Sequence, residues 1–164
     1  MPIITTDIQY RHSGGAANAT DDASLGGAKS SNAISGTMLD DVSAAESLAG
    51  RVEYRCYYVH NNHGSLQLTS PVVWLQAQSL GAGHTIDIGV GTAAVNGTEQ
   101  TIANETTAPV GVAFSAPTTL GAGLALGSLP AGQHKAIWVR RTVAASSVAS
   151  NNSYTLRVQG ETAA

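Results

Sequence analysis

Beyond Gly50 the chain alternates with a period of two residues, and no other feature constrains its fold as tightly. In the run 52–60, Val52, Tyr54, Cys56 and Tyr58 fall on one face and Glu53 and Arg55 on the opposite one. Successive side chains of a strand point to opposite sides of a sheet, so this pattern predicts a strand with one buried face. A second strand is predicted near 72–78, which Pro71 can begin but could not occupy centrally. Residues 84–90 set Ile86, Ile88 and Val90 against Thr85, Asp87 and Gly89, with Val110, Val112 and Phe114 alternating again after an irregular stretch over 91–108. That stretch reads as a long loop or a short edge excursion, and a short strand is expected about Leu124–Leu126. In the last two runs, 135–142 and 153–159, Ile137, Val139, Tyr154, Leu156 and Val158 point inward. The polar stretch 144–152 between them is long for a tight hairpin, which predicts a crossover between sheets. Seven or eight short strands with frequent turn signals make residues 51–164 an all-β sandwich, jelly-roll or immunoglobulin-like.

The first fifty residues follow a different rule. Over 13–35 the sequence SGGAANATDDASLGGAKSSNAIS is nearly all small or polar. Ordering it costs roughly 1–2 kcal/mol of backbone entropy per residue, which such a composition does not recover by burying its own apolar surface. Residues 1–50 therefore read as an extended, mostly irregular arm, ordered only if something else holds it, with a neighbouring subunit or a large assembly as the expected holder. Charge agrees with docking. The arm carries six acids, Asp7, Asp21, Asp22, Asp40, Asp41 and Glu46, against Arg11 and Lys29, a balance of −4, while six bases and five acids leave the body at +1. The one helical turn expected lies at 43–49, where Ser43 and Glu46 have capping-box spacing and Gly50 can end it.

Chemistry is sparse. The single cysteine, Cys56, excludes an internal disulfide and reads as a small buried hydrophobe. His60 and His63 lack a third ligand at metal-binding spacing, and Asp21-Asp22 and Asp40-Asp41 lack the spaced oxygens and glycine of a calcium loop. Asp87 with Glu99 or Glu105 offers carboxylates whose separation one sequence does not define. No nucleophile, base and orienting group can be named together, so neither an enzyme nor a cofactor is expected. There is no basic stripe for nucleic acid and no apolar run long enough for a membrane helix. The start MPIITTD has neither the basic residues nor the apolar length of a secretory signal, so synthesis in a cytoplasm is expected.

The segments 39–46 (LDDVSAAE), 52–59 (VEYRCYYV) and 129–141 (LPAGQHKAIWVRR), with SGGA at 13–16 and ASLGG at 23–27, resemble small virion proteins of tailed bacteriophages. The resemblance covers most of the chain and rests on structural patterns rather than catalytic motifs. It implies a capsid cement or decoration protein located in the virion, a sandwich whose arm clamps neighbouring subunits of the major capsid protein or other virion proteins. The copies would form a homo-oligomer, dimer or trimer. Contact residues expected on this reading are Ile8, Tyr10, Leu25, Ile34, Met38 and Leu39 in the arm and Trp138 and Arg140 in the body. The alternative is a tail or baseplate component, with Trp74 or Trp138 as a stacking platform for a receptor carbohydrate.

Overall fold

The computed structural model describes residues 2–148 and 151–162. Its strands are β1 (Ile8–His12), β2 (Gly26–Gly27), β3 (Arg51–Asn61), β4 (Leu68–Ser79), β5 (His84–Val90), β6 (Glu99–Thr101), β7 (Leu124–Ala125), β8 (His134–Val143) and β9 (Ser153–Thr162). A four-stranded antiparallel sheet, β1-β3-β8-β5, packs on a three-stranded one, β7-β4-β9, and β2 and β6 form a small ribbon. The fold is thus an all-β sandwich. β8 and β9 lie in different sheets, so the stretch between them crosses the sandwich; its residues 149–150 lie outside the described set.

Between the sheets, Tyr57, Val59, Ile86, Ile88, Ile137 and Val139 meet Val73 and Leu75, with Leu126 and Leu129 closing the layer. The other face of the larger sheet is covered as well. There Cys56, Tyr58, Ala136, Trp138 and Ile102 form a second apolar cluster, on which Leu25, Tyr54, Val112 and Phe114 pack. Burial of both faces explains the one misleading feature of the alternation: Glu53 and Arg55 do not face solvent but continue the inter-sheet row of Tyr57 and Val59, and both are buried. Two further expectations are corrected. Residues 110–114 form no strand, because Val112 and Phe114 pack on the second cluster from a loop whose one sheet-like contact is the bridge Ile88↔Ser115. Pro71 lies inside β4 rather than at its start, tolerated because the β4–β9 register shifts between Thr69 and Val72.

The arm folds onto its own body. β1 pairs with β3 from Ile8↔Asn61 to His12↔Tyr57, and the edge continues where Cys56 N donates to Ser24 O at 2.7 Å. Polar pairing does what apolar burial cannot. Ser13 Oγ donates to Cys56 O and accepts from Gly26 N, Ser30 Oγ donates to Asn18 O, and Tyr58 Oη donates to Gly27 O. Ser13, Ser24 and Ser30 are fully buried. Small side chains let the backbone approach closely enough for each to find a partner, so the expectation that a neighbouring subunit must order the arm fails for this segment. The short helix α1 (Ala44–Ala49) has the expected cap: Glu46 N donates to Ser43 Oγ, Ser43 N donates to the Glu46 carboxylate, and Gly50 ends it at φ 78°.

Candidate interaction site

The chain from the arm to β3 runs past one end of the sandwich, where the inter-sheet row changes from apolar to charged. Arg51, Glu53 and Arg55 on β3 and Arg141 on β8 meet Asp40, Glu46 and Glu105. Glu53 is 1% exposed; its carboxylate takes Arg141 Nε at 2.7 Å and lies 2.7 Å from Arg51 Nε. Arg55, 0% exposed, pairs with Glu105 and lies 3.6 Å from Asp40. Arg51 also reaches Glu46 at 3.1 Å and pairs with Glu105. Oxygens of Glu46, Glu53 and Glu105 lie within 4.8 Å of one another, a spacing that could hold a cation, but the Arg51 guanidinium already joins all three. The acidic arm and basic body therefore neutralise each other within one chain.

Beside this knot a cleft of about 1510 Å³ opens between β9, the linker 36–43 and α1. Its lining includes Tyr10, Leu39, Ile86, Arg141, Tyr154 and Leu156. The hydroxyls of Tyr10 and Tyr154 are buried without a hydrogen-bond partner among the described residues, and desolvation raises both phenol pKa values. Leu48, which lines the cleft, is 71% exposed, and Val148, one residue beyond the lining Ser147, is 72% exposed. The two segments are joined, because Ser146 N donates to Leu48 O and Ser47 Oγ donates to Ser147 O. An exposed leucine on the rim of a concave, partly apolar cleft suits a partner surface.

The contact residues expected from sequence are engaged within the chain. Ile8, Tyr10, Ile34, Met38 and Leu39 pack against the molecule's own inter-sheet core, and Leu25 packs on the second cluster. Of these, Tyr10, Met38 and Leu39 also line the cleft. Trp138 is 0% exposed and offers no contact surface, and Trp74 is buried beneath the Arg157 guanidinium, 5.8 Å from its ring, so neither tryptophan forms an open platform. Arg140 pairs with Asp87 at 2.8 Å and sits over the Phe114 ring. Leu48 and Val148 were missed because a lone leucine or valine in a polar stretch carries no periodic signal.

The other candidates are engaged locally. His63 Nδ1 accepts from Leu66 N at 2.9 Å and closes a turn, whereas His60 is buried in β3 with its ring centroid 6.4 Å from that of His134. Burial, with Lys29 and Arg11 nearby, pushes the His60 imidazole down to about 4. Glu99 accepts from Ala93 N and Thr92 Oγ1 and so holds the 92–99 loop, while Glu105 belongs to the arginine knot. Asp21 lies 3.6 Å from His12, and Asp40 pairs with Arg141. The Cys56 thiol is buried and pushed upward by desolvation. Among the described residues no helix is long and apolar enough to cross a membrane. Comparison with family models, curated proteins and solved structures finds no match to this chain.

Proposed function

We propose that this protein is a structural component of a phage virion that binds the assembled capsid shell, with the cleft and its aliphatic mouth as the contact surface. The observation that carries this reading is the exposure of Leu48, with Val148 on the adjoining segment, at a cleft whose linker and helix wall is tied to β3 and β8 through Asp40 and Glu46. A rigid wall presents its contact surface without an ordering cost at each binding event. Binding only to the assembled shell stabilises that state by mass action, and a repeating lattice needs little from each contact. The arm contributes by closing the cleft rather than by reaching across to a neighbour.

Removing residues 1–48 is an unsuitable test, because it strips β1 from β3 and takes Asp40 and Glu46 from the knot. Leu48→Asp and Val148→Asp replace exposed side chains and leave the core intact. Each is expected to weaken co-sedimentation with purified capsids about tenfold or more, with an unchanged circular dichroism spectrum. Wild-type occupancy by both variants, or gold labelling of virions confined to the tail, refutes the reading.

A further inference from the structure

Among the described residues, every long sheet edge but one is covered. Along β1, Ile34 N donates to Tyr10 O at 2.8 Å, His12 N donates to Asn32 O, and Arg11 bridges Ala33. Along β5, Ile88 and Ser115 exchange bonds of 2.8 and 3.0 Å. β7 has only two residues. β9, ten residues long, is bonded to β4 on one side, and among the described residues no backbone bond reaches its other side. It has no proline, and its inward positions 154, 156 and 158 are the uncharged Tyr, Leu and Val.

Which groups face outward follows from the ladder. Leu75 N donates to Pro117 O, away from β9, so the alternating residues Val72 and Trp74 carry the bonds to Gln159 and Arg157. Leu156, Val158, Gly160 and Thr162 then present their N–H and C=O groups at the free edge. On the exposed face of the same strand, Arg157 and Glu161 stand four residues apart with no ion-pair partner among the described residues. In an antiparallel pairing of two identical strands the sum of paired residue numbers is constant. Centring the twofold on Gln159 sets Arg157 against the partner's Glu161 twice and joins Val158 to Gly160 and Leu156 to Thr162 in four hydrogen-bonded pairs, about eight backbone bonds in all. Moving the centre to Val158 sets Arg157 against Gln159, and moving it to Arg157 sets like charges against each other. The charges thus select a single register, and that self-complementarity singles out a second copy of this chain as the occupant.

We infer that two copies pair edge to edge through β9, centred on Gln159, making a continuous six-stranded sheet β7-β4-β9-β9-β4-β7. This goes beyond shell binding and does not depend on it. The test is sedimentation velocity of the intact 16.7 kDa chain across a concentration series. Wild type is expected to approach twice the monomer mass as concentration rises. Arg157→Glu and Glu161→Arg each bring two pairs of like charges together and are expected to weaken dimerisation about tenfold or more. In an equimolar mixture of the two variants, both acids of one copy face both arginines of the other, and the mixture is expected to recover the wild-type dissociation constant within about threefold. Circular dichroism verifies that both variants fold. A wild type that stays monomeric to its solubility limit overturns the inference, as do variants that dimerise unchanged or a mixture that fails to recover. Capsid co-sedimentation of a monomeric variant separates the two proposals: loss of the dimer with retained capsid binding leaves the shell reading standing.

Discussion

Replacing Arg55 with methionine probes whether the arm is locked to the body by charge. Methionine keeps an unbranched apolar stem in the fully buried space and removes only the guanidinium. Before substitution the knot holds three cations, Arg51, Arg55 and Arg141, against four carboxylates, Asp40, Glu46, Glu53 and Glu105, with the solvent-exposed Asp22 3.7 Å from Arg55 at its edge. Afterwards two cations face four. Removing one partner of a buried pair costs about 3–5 kcal/mol. The value here is lower, because the Glu105 side chain is 27% exposed and keeps Arg51; about 2–3 kcal/mol is expected. With a urea slope of about 2 kcal/mol/M, the unfolding midpoint should fall by roughly 1–1.5 M. Glu46→Gln instead brings the count to three against three, at a partly exposed side chain where glutamine can still accept from Ser43 N, and should cost under about 1 kcal/mol. In the double variant Arg55→Met with Glu105→Leu, the unpaired charge disappears with its partner, so the loss should fall short of the sum of the single changes by at least about 1 kcal/mol. Equal costs for Arg55→Met and Glu46→Gln, or an Arg55→Met variant as stable as wild type, would refute the reasoning.

Three further outcomes follow from the structure. His60 has its pKa lowered from 6.5 to about 4 by burial and by Lys29 and Arg11, so its contribution to stability is level above about pH 6.5 and falls by at most about 3 kcal/mol as the pH drops to 4; His60→Gln should flatten that slope in pH-dependent denaturation. Gly26 sits at φ +97° with room for no Cβ, which would fall 1.8 Å from Gln100 O. Gly26→Ala is therefore expected to lower stability by roughly 2 kcal/mol or more in thermal melts, and a neutral effect would contradict the close β2–β6 pairing. Cys56, buried with a raised pKa, should react with a thiol reagent in native buffer only at the rate of unfolding, and rapid stoichiometric labelling would contradict its place in the second cluster.

What the sequence alone determined is whatever depends on neighbours along the chain. Alternation located β3, β5, β8 and β9 and the inward rows Ile86-Ile88-Val90 and Tyr154-Leu156-Val158, because a strand's period is a local property of backbone geometry. The capped turn at Ser43–Gly50 was legible for the same reason, and so was the opposite charge of arm and body. Only the tertiary structure decided what covers each face and which charges meet. Glu53 and Arg55 looked like the wet side of a strand because one-sided burial is the ordinary reading of alternation. They are dry because residues brought from 22 to 46 and from 105 supply countercharge that spacing along the chain does not reveal. The same holds for 13–35. Its composition measures how little apolar surface it can bury, whereas its order comes from Ser13, Ser24 and Ser30 finding partners, and whether a polar group is satisfied is a question of three-dimensional position rather than of composition.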